Sequence, residues 1–347
     1  MNWTTRLAAP LLALLLATGA RADEEKVLYF YNWTDYYPVE LLAKFEKDTG
    51  IKVTLDNYDS NETLLAKLQS GGANYDVIVP SDYVVPGLIK DKLIQKIDTS
   101  KMANYQFVKD NFKNPNFDPT NEYTAPYLWG TTGIAYDSAQ VPGGKLEDSW
   151  KVYFNPPKEL EGKIAALDTA SDEILAASIY LGIPQCTENN DDAAKILALL
   201  QAQKPKLKLY SSDTTVDRMA GGEVAMHHLW NGATARAYAQ RKTIRFIYPK
   251  EGIPMFRDNF AVPTAAPHPE NARIFLNWMM APENAAAVSN QIAYANSIKS
   301  DQFMDPKWMA TDAINMPAEY ASRLVPTQDC SPAARALQDK IWTRLKG

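Results

Sequence analysis

V-L-Y-F-Y-N-W-T-D-Y-Y-P, residues Val27 to Pro38, joins a strand pattern directly to a loop rich in aromatic residues. The first five residues form the apolar run of a buried strand. Four aromatic rings and the carboxylate of Asp35 then lie between Tyr31 and Pro38. Ring faces attract an ammonium group, and a carboxylate binds it through charge-assisted hydrogen bonds. The segment therefore indicates either a site for an organic cation, or an aromatic loop on the core with Asp35 capping the helix that Pro38 begins.

The next fifty residues alternate between helix and strand patterns. The predicted elements are a strand at 27–31, a helix from Pro38 to Gly50, a strand at 51–55, a helix capped by Ser60 and a strand at 75–79. This order predicts a parallel sheet with right-handed crossovers. Ligands of such sheets bind beyond the carboxyl ends of the strands, where residues 33–37 and 81–83 lie.

The rest of the chain is less regular. Helices are predicted at 172–181, 191–203, 269–280, 282–291 and 332–345, and strands at 223–230, 244–248 and 259–262. Residues 127–136 form a strand pattern with two glycines, which indicates either a strand that crosses between two domains as a hinge or a bulged strand inside one sheet. The length of the chain suits two domains.

The first 22 residues have the pattern of a secretory signal peptide. Arg6 precedes an apolar run at 11–17, and Ala20-Arg21-Ala22 forms a cleavage site before Asp23. Removing this segment leaves 34 basic and 41 acidic residues, a net charge of −7. This charge argues against nucleic-acid binding and is compatible with a cationic ligand. We therefore expect an exported protein of the Gram-negative periplasm.

Motifs for catalysis and metal binding are absent from the sequence. No G-x-S-x-G, H-E-x-x-H, Walker loop or C-x-x-C occurs. His227 and His228 are adjacent on a predicted strand and point to opposite faces, so they cannot easily share a metal ion. Export permits a disulfide between Cys186 and Cys330, although the residues alone leave the bridge open. We expect no catalytic residue, no metal and no cofactor.

One local pattern recurs at predicted element ends: an aromatic residue close to an acid, an amide or a hydroxyl group. The pattern occurs at Trp33-Asp35-Tyr36, Ser81-Tyr83, Trp230-Asn231-Gly232, Phe256-Arg257-Asp258 and Tyr294-Ala295-Asn296. Aromatic residues are common in cores, so each example alone has a structural explanation. Their recurrence in an α/β chain favours a cation site built from several strand ends.

These residues resemble the periplasmic polyamine-binding proteins that serve spermidine and putrescine ABC importers. The matching motifs are Y-N-W-T-D-Y at 31–36, S-N-E-T at 60–63, Y-D-V-I-V-P-S at 75–81, P-Y-L-W-G-T-T-G-I at 126–134, W-N-G at 230–232, P-K-E-G at 249–252, Y-A-N at 294–296 and the stretch 336–346. They follow the family order along nearly the whole mature chain.

The resemblance implies a two-domain α/β periplasmic-binding-protein fold of type II. Each domain is expected to be a mixed, mostly parallel sheet flanked by helices, with the ligand cleft between the domains. The N-terminal domain is predicted at 23–133 plus 259–303, and the C-terminal domain at 134–258 plus 304–347. A monomer that closes on its ligand and delivers it transiently to an inner-membrane ABC permease is the implied mode of action.

The resemblance also implies the ligand contacts. The cage aromatics would be Trp33, Tyr36, Trp230, Phe256 and Tyr294. The polar contacts would be Thr34, Asp35, Ser81, Tyr83, Asp258 and Gln328. Asp258 would be the main carboxylate for an ammonium group, and Asp35 with Thr34 would contact an amine end. The family carries a further acid at the start of the helix that ends at Leu181, and Asp172, Glu173 and Asp168 all remain candidates for it.

One position departs from the pattern of putrescine-preferring relatives. Some of them have an acid three residues after the cleft tryptophan, where this chain has Ala233. Asn231 and Ala233 are closer to the spermidine-type pattern. Three alternatives to polyamine transport stay open: a ferric-ion binder of the same fold using Tyr36, Tyr37 and Tyr294, an exported hydrolase using Asp35 and Asp258 as an acid pair, and a cleft protein that senses or scaffolds.

Overall fold

The computed structural model describes residues 24–71, 74–309, 311 and 316–347. The predicted signal peptide, residues 1–22, lies outside the described residues. The strands are β1 (Val27–Trp33), β2 (Lys52–Tyr58), β3 (Val77–Ile78), β4 (Thr124–Asp137), β5 (Ile164–Ala166), β6 (Leu209–Tyr210), β7 (Met226–Trp230), β8 (Ile244–Ile247), β9 (Ile253–Ala261), β10 (Ala295–Asn296) and β11 (Leu324–Pro326).

Helices surround these strands. They are α1 (Val39–Thr49), α2 (Asn61–Gln69), α3 (Val85–Lys90), α4 (Lys151–Phe154), α5 (Ala170–Leu181), α6 (Asn190–Gln203), α7 (Thr215–Ala220), α8 (Asn231–Gln240), α9 (Pro269–Met279), α10 (Pro282–Ile292), α11 (Pro306–Met309) and α12 (Pro332–Lys346). Short 3₁₀ helices, such as Asp82–Val84, lie in the connections. The α/β class predicted from the sequence is confirmed.

The N-terminal β-α-β-α-β unit forms as predicted. β1 pairs in parallel with β2 on one side and with β3 on the other. Gly50 ends α1 in the left-handed conformation, with φ of 75°, which glycine adopts without steric cost. The Ser60 side chain accepts a hydrogen bond from the Thr63 N–H and caps α2. Pro38 is the N-cap residue of α1 and no side chain caps this helix, so Asp35 is free of that structural role.

The glycine-bearing strand β4 connects two sheets. Its residues 124–131 pair with β9, whereas residues 132–137 pair with β7 and β8. The pairing with β9 also shifts register between Pro126 and Trp129. One strand thus passes from one sheet to the other and is irregular within the first, and its role as a hinge stays a prediction. The predicted domain boundaries at 133/134 and 258/259 stay predictions.

Each half of the molecule has its own core. Phe30, Phe45 and Phe275 belong to one cluster of buried side chains, and Trp150 and Tyr153 belong to another. This separation, together with the sheet change in β4, gives the two-domain arrangement.

Strand β9 differs from its prediction. It begins at Ile253, six residues before the predicted start at Asn259. The early residues pair with β11 and β4, and these partners are distant in sequence, so the local pattern does not reveal them. The longer strand places Phe256 and Asp258 two positions apart on one face, while Arg257 lies over the Phe112 ring, 5.6 Å from its centroid.

A disulfide joins Cys186 to Cys330, whose Cα atoms are 5.1 Å apart. It connects the loop between α5 and α6 to the segment before α12, and α12 packs on both helices. The bridge therefore fixes the C-terminal segment to its domain. No helix in the described ranges combines the length and the apolar character that crossing a membrane requires.

Substituting Gly133 with alanine should destabilise the protein by about 1–3 kcal/mol, the usual cost of overpacking a core. A Cβ atom at Gly133 would lie 2.5 Å from the Ile247 carbonyl oxygen, which the β4–β8 pairing holds in place. Gly87→Ala is the matched control, because Gly87 lies in α3 and a Cβ atom there would have open space within 4 Å. Urea unfolding should show a loss only for Gly133→Ala; equal stability of both variants would contradict the close approach.

Candidate ligand cleft

A cavity lies between the two halves of the molecule. Its empty volume is about 1000 Å³, including the part that opens to solvent. Eleven residues of the predicted site line it: Trp33, Thr34, Asp35, Tyr36, Ser81, Tyr83, Asp172, Trp230, Phe256, Asp258 and Tyr294. They come from the carboxyl ends of β1 and β7, the turn after β3, the start of α5, strand β9 and the segment before β10. Sequence segments far apart in the chain therefore meet in one cleft.

Asp258 is the most enclosed acid of the cleft, with 4% of its surface exposed. Its Oδ1 accepts a hydrogen bond of 2.6 Å from Ser81 Oγ, and its Oδ2 accepts one of 2.8 Å from Tyr36 OH. Burial raises the pKa of Asp258 to about 6, although both hydrogen bonds act in the opposite direction. The two donors hold the carboxylate in one orientation, and its remaining lone pairs are available to a cation.

Aromatic rings form the walls around this acid. The Tyr36 and Tyr294 ring centroids are 5.2 Å apart in an edge-to-face arrangement, and Phe256 lies 6.1 Å from Tyr294. Trp33 donates its Nε1–H to the Val79 carbonyl at 2.8 Å, and its ring is 4.7 Å from that of Tyr58. Such fixed rings present both apolar surface and the negative ring faces that a cation prefers.

The W-N-G motif positions Tyr294. A Cβ atom at Gly232 would lie 2.5 Å from the Tyr294 ring, so only glycine allows the ring to approach the start of α8. The Asn231 side-chain oxygen accepts a hydrogen bond from the Thr131 N–H at 3.1 Å. Ala233, which departs from the pattern of putrescine-preferring relatives, is buried beside Leu229 and Ala237 and does not line the cavity.

Asp172 and Glu173 lie in different surroundings although they are adjacent in α5. Asp172 lines the cavity and accepts a hydrogen bond from Thr132 Oγ1 at 3.4 Å. Burial raises its pKa to about 7, with His228 opposing the shift. Glu173 is fully buried inside the C-terminal half. Of the two candidates, only Asp172 reaches the cleft.

The placements of Gln328, Glu173 and Asp168 do not agree with a ligand contact. Gln328 is exposed and its N–H bonds to the Gln185 side chain at 3.2 Å, while the preceding residue, Thr327, lines the cavity instead. Asp168 forms an exposed ion pair with Lys346 at 2.7 Å. The motif match named segments that line the cavity, but it did not determine which side chain in each segment faces inward.

Several residues of the cavity lining are not predicted by the sequence patterns. They include Tyr58, Asn61, Thr132, Ser171, the loop residues 212–215 and Arg236. Asn61 donates to Ser81 Oγ at 3.1 Å and to Tyr83 OH at 2.8 Å, and it lies within the S-N-E-T motif. The polar run S-S-D-T-T at 211–215 was an available signal, because such a loop beside a strand can bind a polar ligand.

The iron chemistry considered for the cleft finds little support in its geometry. Tyr37, one of three tyrosines considered for iron, is buried in the N-terminal core and its OH contacts the Met279 sulfur at 3.4 Å. Burial raises the pKa of both Tyr36 and Tyr294, which disfavours the phenolate that iron requires. Within the described ranges, no group of three or more His, Cys, Asp and Glu side chains is arranged to hold a metal ion.

Comparison with known proteins gives one consistent family. The family described as bacterial extracellular solute-binding protein matches residues 40–318. The spermidine/putrescine-binding periplasmic protein of Escherichia coli is 33% identical over 99% of each chain, and the putrescine-binding periplasmic protein SpuD of Pseudomonas aeruginosa is 32% identical over 98% of each. The structure of the TpPotD lipoprotein of Treponema pallidum has a TM-score of 0.80 and 28% identity, covering 92% of this chain and 99% of that one.

The surroundings of Glu173 generate a stability prediction. Its carboxylate accepts hydrogen bonds from Tyr153 OH at 2.9 Å and the Leu167 N–H at 3.0 Å, and contacts His228 Nδ1 at 2.7 Å. Glu173→Ala should therefore lower the free energy of unfolding by about 3–5 kcal/mol, as expected when several buried groups lose their hydrogen-bond partner at once.

Asp172→Ala is the matched control, since it removes the neighbouring acid and one long hydrogen bond. It should cost no more than about 1 kcal/mol, the net value of a typical hydrogen bond. Urea unfolding of both variants checks the difference. Similar losses in the two variants would show that Glu173 is not the structural acid of this pair.

Proposed function

Because this chain belongs to the family of bacterial extracellular solute-binding proteins, we propose that it captures a polyamine, putrescine or spermidine, in the cleft and delivers it to an ABC transporter permease. The observation that carries this proposal is the buried Asp258 carboxylate, held by Ser81 and Tyr36 among the aromatic rings of the cleft. The names of the relatives, which bind spermidine and putrescine, support the ligand class.

The chemistry of the cleft suits a polyamine. Such a ligand is a flexible apolar rod with ammonium groups along it. Asp258 and Asp172 supply carboxylates to bind these groups, and the rings of Trp33, Trp230 and Phe256 supply surface to bury the methylene groups. Micromolar affinity requires only about −8 kcal/mol, which two or three charge-assisted hydrogen bonds and buried methylene groups can provide after ordering costs.

Binding should favour a closed arrangement of the two halves. Trp33 and Asp258 lie on β1 and β9 of one sheet, whereas Asp172 in α5 and Trp230 on β7 lie with the other sheet. Tyr83 OH and Ser171 Oγ already meet across the cleft at 3.4 Å. Because a ligand collects all its contacts only when both halves touch it, binding selects the closed state. A permease that recognises this state would receive only loaded protein.

The location of the protein is supported by its predicted export. The signal peptide predicted at residues 1–22 and the periplasmic relatives support a periplasmic location, and the Cys186–Cys330 disulfide suits an oxidising compartment. We propose that the protein acts as a monomer, and as a binding protein instead of an enzyme. The names of the relatives do not favour the alternatives, a ferric-ion binder or an exported hydrolase.

Isothermal titration of the ligand-stripped protein tests the function. Putrescine or spermidine should bind with one-to-one stoichiometry, and Asp258→Asn should weaken the complex by at least about tenfold, since one charged hydrogen bond contributes about 1.5–3 kcal/mol. Asp305→Asn is the control, because it removes the same charge from an acid whose carboxylate bonds to the Lys307 N–H and ammonium group. The proposal would be refuted if neither amine gave a binding heat, or if both substitutions had equal effects on the affinity.

The affinity should rise with pH between about 5.5 and 8. The pKa values of Asp258 and Asp172 are raised to about 6 and about 7, so both carboxyl groups carry protons at pH 5.5. An amine with a pKa near 10 stays charged throughout this range and requires the ionised carboxylates. Each carboxyl that must ionise should change the affinity by up to about tenfold per pH unit below its pKa.

Titrations in buffers of different ionisation enthalpy should also detect proton release on binding at pH 6. Asp172→Asn should flatten the pH profile above pH 6, where only the remaining acid of lower pKa titrates. An affinity that falls as the pH rises would mean that the bound ligand does not pair with these carboxylates.

A further inference from the structure

One cation lies in a cleft that is otherwise lined with acids. The lining includes the carboxyl groups of Asp35, Asp59, Asp172, Asp213 and Asp258, and a single basic side chain among the described residues, Arg236. Acids in a site for a polyamine need no further explanation, whereas a guanidinium group repels such a ligand. Arg236 therefore calls for a role that the proposed function does not supply.

The contacts of Arg236 place its charge at one end of the cleft. Arg236 lies in α8, six residues after Trp230, and its Nη1–H donates a 2.9 Å hydrogen bond to the main-chain carbonyl of Asp35. This bond joins the two halves of the molecule. Tyr294 lies within range of the same charge, which lowers its pKa while burial raises it. The guanidinium thus borders the part of the cleft that Asp35 and Tyr294 line.

Arg236 forms no ion pair in the part of the chain that the structure describes. Within the described ranges, its hydrogen bond goes to a neutral carbonyl, no carboxylate forms an ion pair with it, and its buried Nε–H has no acceptor. A guanidinium group cannot lose its proton in a protein. Its full positive charge therefore acts on whatever occupies this end of the cleft.

The consequence is an uneven cleft. An ammonium group beside Asp35 would meet a carboxylate and a guanidinium together, so that attraction and repulsion offset each other. In the described part of the lining, the hydrogen bonds to Asp258 and Asp172 come from neutral hydroxyl groups, and no basic side chain is bonded to either acid. Two ammonium groups are therefore well accommodated by these two acids, and a third one at the Asp35 end is not.

We propose that Arg236 is a specificity-determining residue, which offsets Asp35 and makes the cleft select short diamines over polyamines with a third ammonium group. This inference rests on the proposed function, because it concerns the amine that the same cleft prefers. It assigns the preference to a residue outside every motif that resembles the family.

The test compares the affinities for putrescine and spermidine in the full mature protein by isothermal titration. Arg236→Gln should shift the affinity ratio towards spermidine by at least about tenfold, the effect of about 1.4 kcal/mol in binding free energy. Arg236→Lys keeps the charge and should keep the wild-type ratio. Arg245→Gln is the matched control, because Arg245 is exposed on β8 and bonds to local carbonyls.

The ratio separates specificity from a structural effect. Loss of the bond to the Asp35 carbonyl would weaken both amines by the same factor and leave the ratio unchanged, which would overturn the inference. A second readout is Asp35→Asn, which should change spermidine affinity by less than about threefold in the wild type and by at least about tenfold in Arg236→Gln. Equal effects in the two backgrounds would also overturn it.

Failure of this inference and of the proposed function can be told apart. If the wild-type protein binds neither amine, the proposed function fails and the inference fails with it. If it binds both amines and Arg236→Gln leaves their ratio unchanged, only the role of Arg236 is lost. Unfolding midpoints of all variants establish that each one folds.

Discussion

A single strand, β4, determines how the two halves of this molecule relate to each other. Its residues 124–131 belong to one sheet and residues 132–137 to the other. Residues 131 and 132 therefore lie where the chain passes from one sheet to the other. Gly133 and Gly232 have close neighbours that leave no room for a side chain, so the region of the crossing is tightly packed instead of loose.

The buried acids in and beside the cleft carry a cost for the protein without ligand. The pKa values of Asp82, Asp172 and Asp258 are raised to between about 6 and about 7, chiefly by burial. An acid whose folded-state pKa exceeds its unfolded value of about 3.9 holds a proton in the native state that the unfolded chain has already released. These acids therefore lower the stability progressively as the pH rises from about 4 to about 7. A cationic ligand relieves this cost by pairing with the ionised forms of Asp172 and Asp258.

Much of the fold could be predicted from the sequence because its signals are local. Gly50 ends a helix and Ser60 caps one through contacts within four residues. Strand β9 was predicted too short, since its first residues are stabilised by β11 and β4, far away in the chain. Likewise Asp172 and Glu173 could not be separated, because a helix turns by about 100° per residue and the direction of the cleft is set by tertiary packing. For a similar reason the sequence could not show that Thr327, and not the predicted Gln328, lines the cavity.

For function too, the sequence motifs reveal one part and leave another part undetermined. The motifs that resemble the family describe the basic chemistry of the cleft, which consists of rings and an acid at Asp258. The preference of one member for one ligand must come from positions where it differs, because a shared fold and a shared cage cannot distinguish two polyamines. Ala233 lies buried away from the cavity and offers no direct contact. Arg236 does line the cavity, and its charge has the sign opposite to that of the surrounding acids. Specificity in a cleft that attracts all polyamines requires a repulsive element as well as attractive ones, and Arg236 has the position and the charge to be that element.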